Sequence, residues 1–409
     1  MKVLYVTASC LTKNTSANMS HNGYVQGLLE NGAELDIIMA SDSWGEADNK
    51  LSKWSKARYY EYNSVSFADK LRNFAKKFIP QADTTIVATN SQAQQTQTAN
   101  TRKRISLRAM AKQIFYTLFK PDPVYPLNAT WLKNAAKFKS AIEYDLVVSN
   151  SSPSASHKLV SILTSKGRIK YKRWVQIWED PWYHDLYGGH SDAILAEEHA
   201  LLRDAQEIYY VSPLTTHYQK IYFADCAEKM KNSPLPFLAF GEEGSSPNSE
   251  ITFGYFGDYF AHTRNLRPFY EAIIATNSSG YIYGDSDLRL QGNEKLVVSG
   301  RVTLDILEKV QKQTSVLIHL CNLRGGQIPG KIYHYSATTK PILFILDGTE
   351  EEKKIIKEHF AQYDRYFFCD NTKEDIELAI NKLTANYTQY CGRIVEEFSP
   401  KQVVAQLFQ

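Results

Sequence analysis

The sequence predicts an α/β protein made of two Rossmann-like, doubly wound domains that face one another across a central cleft. Three observations predict this architecture. Strand-like and helix-like segments alternate along most of the chain, its 409 residues exceed what a single core usually fills, and an interval rich in Pro, Gly and Ser interrupts the alternation. Ligands of such domains bind at the carboxyl ends of the strands, so functional residues are expected in the loops that follow strands.

The first domain is expected at residues 1–232, and its start is typical of a βαβ unit. Strand 2–7 leads through a loop to helix 20–30 and strand 34–40. The loop at 8–16 lacks the G-x-G-x-x-G pattern, so a dinucleotide is not expected there. Beyond residue 126 the alternation resumes, with helices at 129–142, 154–166 and 192–204 and strands at 144–149, 173–178 and 207–211.

An irregular, basic excursion at 42–126 separates these two parts of the first domain. Its segment 102–120 mixes apolar side chains with Lys and Arg. This composition suits an amphipathic helix whose apolar face packs on its own domain. The alternative is a helix that also makes peripheral contact with an anionic membrane surface.

The second domain is expected at 251–388, after a linker at 233–250. Its predicted strands are 251–255, 280–283, 296–299, 315–321 and 341–346, and its predicted helices are 265–275, 304–313 and 332–337. The last segment, 389–409, is expected to contain a helix, and one option is that it returns to the first domain. Alternation of strand and helix again indicates a parallel sheet.

Composition excludes several classes of protein. A net charge of only +3 gives no support for nucleic-acid binding. The start of the chain lacks a signal-peptide pattern and no run of about 18 apolar residues occurs, so a cytoplasmic protein is expected. Five scattered cysteines argue against a disulfide framework and a zinc site. Asp285-Ser286-Asp287 matches the D-x-D pattern of some metal-binding transferases, but Asp is common in turns, and no metal is expected.

The most informative stretch is strand 315–321, which is followed by a glycine-rich turn and a helix at Lys331. Backbone N–H groups and a helix N-terminus in such a place favour a phosphate. Lys331 would add a point charge, and His334 would lie on the same helical face. Gly325 to Lys331 also fits G-x-x-x-x-G-K, but the next residue is Ile332 where a P-loop has Ser or Thr, so an ATP-dependent P-loop enzyme stays an alternative.

Two other strand ends carry polar residues. Gly257 follows strand 251–255 and allows close approach of a ligand to the backbone, while Arg264 is suited to bidentate binding of a diphosphate. Strand 173–178 ends in a turn with Asp180, Trp182 and His184. Polar groups beside flat rings suit a sugar, and the structural alternative is a turn with a buried Trp.

Four stretches occur in a characteristic order: YDLVVSNSSP at 144–153, WEDPW at 178–182, GYFG at 254–257 with RNL at 264–266, and IPGKIYHY at 328–335 with KPIL at 340–343. Together they resemble the glycosyltransferases of the GT-B fold, in particular the large retaining family 4 that builds bacterial surface polysaccharides. The resemblance covers most of the chain. It departs at Gly326 and His334, where the family commonly has two glutamates, and in the amino-terminal loop, where Ser9, Thr15 and Ser16 replace a glycine pair.

The resemblance implies transfer of a sugar from a nucleotide diphosphate donor to a lipid-linked glycan or polysaccharide, with retention and without a metal or cofactor. The catalytic candidates are Arg264, Lys331 and Asp180. The donor is expected to contact Gly257, Arg264, Gly326, Gln327, Lys331 and His334, and the acceptor side is expected to include Ser9, His21, Asp180, Trp182 and His184. The alternatives are a catalytically silent GT-B relative that serves as an assembly partner, and a GT-B epimerase that needs no acceptor.

Overall fold

The computed structural model describes residues 1–43, 45–47, 51–65, 122–186, 188, 190–238 and 250–409. Two parallel sheets with flanking helices form two domains, and the predicted α/β class with two doubly wound domains is confirmed. The segment 102–120 and most of the linker lie outside the described residues. Within the described ranges, no helix is both long enough and apolar enough to cross a membrane.

The first domain contains a seven-stranded parallel sheet in the order β5-β3-β1-β6-β7-β8-β9, beside a small antiparallel pair, β2 with β4. Its strands are β1 (Lys2–Val6), β2 (Lys13–Asn14), β3 (Glu34–Ala40), β4 (Glu46–Ala47), β5 (Ala57–Tyr62), β6 (Glu143–Ser151), β7 (Lys170–Trp178), β8 (Glu207–Tyr210) and β9 (Met230–Asn232). Its α-helices are α1 (Ser16–Glu30), α2 (Ala129–Ala135), α3 (Ala155–Ser165), α4 (Asp192–Asp204) and α5 (Pro213–Tyr222).

The second domain contains a six-stranded parallel sheet in the order β12-β11-β10-β13-β14-β15. Its strands are β10 (Thr252–Phe256), β11 (Ser279–Tyr283), β12 (Leu296–Ser299), β13 (Val316–Leu320), β14 (Ile342–Leu346) and β15 (Tyr366–Asp370). Its helices, and those that follow it, are α6 (Arg267–Ala275), α7 (Leu304–Gln313), α8 (Lys331–Tyr335), α9 (Glu350–Ala361), α10 (Lys373–Ala385), α11 (Tyr387–Tyr390) and α12 (Pro400–Ala405).

The central strands are buried on both sides and do not alternate between buried and exposed residues, because helices cover both faces of each sheet. Val3 to Val6 of β1 are completely buried, and β13 and β14 are buried throughout. β10 lies between β11 and β13, with Phe253 in register with Val316. This order brings the loops after β10 and β13 together at one edge of the sheet, as expected for neighbouring parallel strands.

The chain returns to the first domain after the second sheet is complete. Helix α12 packs on α1, where a Cβ atom on Gly27 would lie only 2.1 Å from the backbone oxygen of Pro400. The side chain of Asn31 donates to the backbone oxygen of Lys401 at 2.9 Å. In the first part of the linker, Phe237 is buried and its N–H donates to the backbone oxygen of Phe398. The carboxyl-terminal segment therefore ties the two domains together.

Several element boundaries differ from the predictions. Helix α1 begins at Ser16 rather than residue 20, because the side chain of Thr15 caps it by accepting from Asn18 N–H. Helix α2 ends at Ala135, well before residue 142, and Phe138 after it is buried in the core. Strand β5 lies inside the segment 42–126, so the sheet extends further along the chain than the irregular composition indicated.

Candidate functional site

Arg264 joins the two loops that follow β10 and β13. Its Nε and Nη2 atoms both donate to Oδ1 of Asn322, at 3.0 and 2.7 Å. Its Nη1 atom donates to the backbone oxygen of Asp258 at 3.0 Å. Asn322 is in turn held by a 3.1 Å bond from its Nδ2 atom to the backbone oxygen of Gln327. The guanidinium group is therefore fixed in place at the carboxyl edge of the second sheet.

Two further cations lie beside this guanidinium. Arg301 follows β12 and pairs with the carboxylates of Asp258 and Asp285, the second at 3.1 Å. Lys331 begins α8, and its ammonium group interacts electrostatically with Asp258, Arg264 and Arg301. Among the described residues, Arg301 forms ion pairs with both carboxylates, while Lys331 interacts with Asp258 at longer range. We call Arg264, Arg301 and Lys331 the cation cluster.

Lys331 has no hydrogen-bond or ion-pair partner among the residues that the structure describes. Desolvation in the cleft, together with the positive charges of Arg264 and Arg301 and against the effect of Asp258, lowers the pKa of Lys331 to about 8. The side chain is half-buried, so bulk water screens its charge only partly. A desolvated ammonium group without a carboxylate in direct contact favours an anionic ligand.

His334 follows Lys331 by one helical turn and is half-buried. Desolvation, and then the charge of Lys331, lower the pKa of His334 to about 4, so its imidazole is neutral near pH 7. Helix α8 has only five residues. Its dipole is small, and the positive charge at this edge comes from side chains rather than from the expected helix N-terminus.

Gly257 leaves open space beside the cation cluster. A Cβ atom there would meet protein atoms only at ordinary contact distances, 3.6 Å to Tyr255 Oη and 4.0 Å to Arg264 Nη1. Neither the backbone conformation nor the packing of the protein requires glycine at this position. A side chain there would instead narrow access to Arg264, so the space suits a ligand that approaches the backbone.

The glycine-rich turn contacts the first domain. Both Gly325 and Gly326 have positive φ, 97° and 76°. The backbone oxygen of Gly326 accepts from Ser212 Oγ at 2.7 Å and from Thr215 Oγ1 at 3.0 Å. The side chain of Gln327 also points across the domain boundary and contacts the first domain. Gly326 and Gln327, expected on the donor side, thus make interdomain contacts.

Asp180 and Glu179 lie at the end of β7, on the opposite wall of the cleft. Gln327 Nε2 donates to Asp180 Oδ1 at 2.6 Å. Asp180 is exposed, yet the cleft surrounds it with protein, and this desolvation raises the pKa of Asp180 to about 6, with Asp185 adding to the shift and Gln327 opposing it. Desolvation and the neighbouring Asp180 also raise the pKa of Glu179 well above its usual value, and its Oε1 atom lacks a partner among the described residues.

His21 is completely buried, so in this conformation it lies behind the cleft wall rather than on it. Its Nδ1 atom is 2.7 Å from Tyr5 Oη, and its Nε2 atom is 3.2 Å from the backbone oxygen of Ser152. Ser9 Oγ donates to the same oxygen at 3.3 Å. Desolvation lowers the pKa of His21 to about 4. His21 therefore supports the loop at Ser152, and its place on the acceptor side stays a prediction.

Trp182 and His184 point in different directions. The ring of Trp182 packs on Tyr125 of the first-domain core, with centroids 5.3 Å apart, and Glu198 accepts from its backbone N–H at 3.1 Å. This matches the structural alternative of a partly buried Trp in a turn. The ring of His184 stacks on Tyr222, with centroids 3.7 Å apart and planes at 10°. It lines an interdomain cavity described below.

Three residues of the site did not emerge from the sequence: Arg301, Asp258 and Asn322. Arg301 follows the end of a strand, and that position could have indicated a site residue. Many other loops also carry a Lys or Arg, so the position alone did not distinguish it. In the D-x-D motif, Asp285 pairs with Arg301, and Asp287 Oδ1 accepts from Ala261 N–H at 3.0 Å. Both carboxylates of the motif thus have partners within the protein.

The architecture is that of the GT-B fold, two doubly wound α/β domains whose strand ends face one cleft. No protein-family model and no curated protein sequence matches the chain.

Among solved structures, TarM is similar over 100% of this chain and 98% of its own, with a TM-score of 0.60 at 9% identity. Anabaena HepE, solved in complex with UDP and glucose, is similar over 100% of this chain and 95% of its own, with a TM-score of 0.53 at 13% identity. A putative UDP-N-acetylglucosamine 2-epimerase from Listeria monocytogenes covers 100% of this chain and 94% of its own, at 8% identity and a TM-score of 0.51. At these identities the likeness concerns the fold.

Proposed function

We propose that the protein is a glycosyltransferase that moves a sugar from a nucleotide diphosphate donor to a glycan, either lipid-linked or part of a polysaccharide. The observation that carries the proposal is the unpaired ammonium group of Lys331, beside the fixed guanidinium of Arg264 at the carboxyl edge of the second sheet. The complex of HepE with UDP and glucose, on the same fold, supports a nucleotide-sugar as the ligand.

A diphosphate fits the cation cluster better than a neutral ligand does. Binding two or more negative charges would give Lys331 the direct ion pair that it lacks, and the open space at Gly257 would admit a phosphate close to Arg264. The preorganised guanidinium needs little reorganisation, because Asn322 and Asp258 already hold it. These features favour a diphosphate bound through side-chain charges, without a required metal.

The same charges would accelerate the reaction. In the transfer, the bond between the anomeric carbon and the leaving phosphate oxygen breaks, and a bond from the anomeric carbon to an acceptor hydroxyl oxygen forms. Negative charge grows on the leaving diphosphate, and fixed cations stabilise that charge more in the transition state than in the ground state. The acceptor proton passes to the leaving phosphate oxygen when attack occurs on the same face, which gives retention.

Asp180 is proposed to position the acceptor hydroxyl from the opposite wall. Its contact with Gln327 sets it at the domain boundary, where a donor on the second domain and an acceptor on the first would meet. Were the reaction to invert the anomeric carbon, Asp180 would instead serve as the general base, and its raised pKa of about 6 suits that role.

The test is release of nucleoside diphosphate from a panel of nucleotide-sugars, with and without acceptor glycans and with and without EDTA. The proposal predicts release that depends on the acceptor, survives EDTA, and falls about a hundredfold in Lys331→Met. Donor binding without turnover of any donor would favour the catalytically silent relative. ATP hydrolysis that requires magnesium would favour the P-loop alternative.

A nucleotide-sugar epimerase is the second candidate, and the fold it shares with the Listeria protein favours it. An epimerase would change the configuration of the donor's sugar without any acceptor. Its product would still be a nucleotide-sugar, with the sugar–phosphate bond intact at the end of the reaction. Proton NMR of the sugar in the acceptor-free arm separates the two, since a new sugar epimer appears only with the epimerase.

A further inference from the structure

A cavity of about 260 Å³ lies between the two domains, beside the glycine-rich turn. Helix α5 forms one side through Thr215, Tyr218, Gln219 and Tyr222, and Gly325 and Glu352 of the second domain form the other. Small-molecule pockets usually start at about 300 Å³, so this cavity has room for a fragment of a larger ligand. No residue of the cation cluster lines this cavity.

One wall of the cavity consists of nearly parallel rings. His184 stacks on Tyr222, and Tyr222 lies at 16° to Tyr218, with centroids 6.2 Å apart. Tyr222 is 48% exposed, so part of this ring surface is free to contact a ligand. Flat aromatic surfaces with polar edges suit the C–H faces of a sugar ring, which carries its hydroxyls around the rim.

Two polar atoms of lining residues lack hydrogen-bond partners among the described residues. Gln219 is buried, and its Nε2 atom donates to Glu198 Oε1 at 3.1 Å, while its Oε1 atom has no donor. The Nδ1 atom of His184 is also buried without a partner. Buried polar groups in folded proteins are normally satisfied. Both atoms are covered in this conformation, so a ligand could bond to them only after a side chain moves, and the ring surface carries the proposal.

The charge of the cavity narrows the class of ligand. No Lys or Arg lines it within the described residues, and Glu352 belongs to its wall. Both oxygens of Glu352 have partners, Tyr218 Oη at 3.1 Å and the N–H of Thr349 at 2.8 Å. The negative charge of Glu352 would repel a phosphate or a carboxylated sugar, and no cation among the described lining residues would offset that repulsion. A neutral, hydroxyl-rich ring would not be repelled.

We propose that this interdomain cavity binds one neutral pyranose ring of the acceptor, at a distance from the sugar that is modified, so that the acceptor is an oligosaccharide. Its identification as part of the acceptor rests on the proposed function, but binding of a pyranose ring there does not. Gly325 is in the same turn as Gln327, which contacts Asp180. A glycan held in the cavity would therefore run towards the acceptor wall of the cleft.

The test is saturation-transfer NMR on the intact protein with methyl glucoside, methyl galactoside, N-acetylglucosamine and glucuronic acid as probes. The proposal predicts signals from at least one neutral pyranoside, weak or no signals from glucuronic acid, and binding about tenfold weaker in Tyr222→Ala. Ile221→Ala is the matched control, because Ile221 is its exposed neighbour on α5 and does not line the cavity. Gln219→Leu provides a second variant that keeps the rings.

Parallel titrations with UDP and the other nucleoside diphosphates keep the two proposals apart. Pyranoside binding that Tyr222→Ala abolishes, without binding of any nucleotide, would leave the cavity proposal standing and overturn the proposed donor. Nucleotide binding with no pyranoside signal, or with signals that are equal in wild type and Tyr222→Ala, would overturn the cavity proposal alone.

Discussion

Gln327 of the second domain donates a 2.6 Å hydrogen bond to Asp180 of the first. The bond joins the glycine-rich turn after β13 to the turn after β7, which are the carboxyl edges of the two sheets. Leu186 completes the contact, since its backbone N–H donates to Gln327 Oε1 at 3.1 Å. One amide side chain therefore links the two walls of the cleft and, by donating to the carboxylate, partly offsets the rise that desolvation causes in the pKa of Asp180.

Replacing Gln327 by Met should raise the pKa of Asp180 above its value of about 6. The amide N–H stabilises the carboxylate, and its loss favours the protonated form. If ionised Asp180 is the active form, activity rises with pH through this pKa, and the acid limb of the kcat/KM profile should move to higher pH in the variant. Asp180→Asn should abolish that limb. An unchanged limb in Gln327→Met would contradict the role given to this bond.

Lys331→Met should weaken binding of a nucleoside diphosphate by at least about tenfold without lowering the melting temperature. The ammonium group is desolvated and has no partner in the described structure, so its removal costs the fold little. Isothermal titration calorimetry gives the affinity, and calorimetric unfolding gives the stability. Equal affinities for wild type and variant would contradict the placement of the diphosphate.

Lys340→Met is the matched control for that variant. Burial lowers the pKa of Lys340 to about 8 as well, but its Nζ atom donates to the backbone oxygens of Gln311, Lys312 and Thr314 at 2.6 to 2.9 Å. Its removal should cost about 2 kcal/mol of unfolding free energy. The folded variant should retain its affinity for nucleotide, which separates a structural lysine from a ligand-binding one.

Affinity for the diphosphate should fall as pH rises through about 8. Above that pH, Lys331 of the free protein loses its proton, and the anion must bind a neutral amine or pay for reprotonation. Between about pH 6.5 and 7.5 the affinity should change little from this cause. Lys331→Arg should keep its affinity to higher pH, because the guanidinium stays charged. Identical alkaline profiles for the two proteins would assign the loss of affinity to another group.

Gly257→Ala should leave stability unchanged and weaken nucleotide binding. The added methyl group meets the protein at 3.6 Å or more, and it fills the approach to Arg264. Gly27→Ala is the opposite case, because its Cβ would lie 2.1 Å from Pro400 O and would displace α12. It should cost roughly 1 to 3 kcal/mol while leaving the affinity of the folded protein intact. A destabilised Gly257→Ala that binds normally, together with a stable Gly27→Ala that binds weakly, would contradict the ligand-binding role of Gly257 and the packing role of Gly27.

Much of the fold follows from the sequence because burial dictates it locally. The runs Val3 to Val6 and Val316 to Leu320 are buried on both faces and, apart from His319, hydrophobic, which is what a parallel sheet between two helical layers requires. Helix α5 was missed although Ser212 caps it and Pro213 starts it, a recognisable signal that its polar composition obscured. The boundaries of α2 depend on where Phe138 enters the core, which is a tertiary property.

The candidate site is predictable to the extent that it follows strand ends. The rule places Arg264 and Lys331 after two apolar strands, and the strand order then makes those strands neighbours. The sequence does not show which way a side chain points. His21 and Trp182 are residue types that often contact ligands, but in the structure their rings pack towards the core against Tyr5 and Tyr125. The partners of Gln327 across the cleft are set by how the domains meet, which no local pattern encodes.

The central claim is that the cation cluster binds a nucleoside diphosphate through side chains alone. Thermal unfolding in the presence of UDP, GDP, TDP, CDP, ADP and ATP, each with magnesium or with EDTA, tests it most directly. Saturation at a hundred times the dissociation constant stabilises a protein by about 2.7 kcal/mol, which is easily measured. The account predicts stabilisation by one diphosphate, equal in both conditions and smaller by at least about 1.3 kcal/mol in Lys331→Met, as a tenfold loss of affinity requires. Stabilisation only by ATP with magnesium, or by none of the nucleotides, would contradict it.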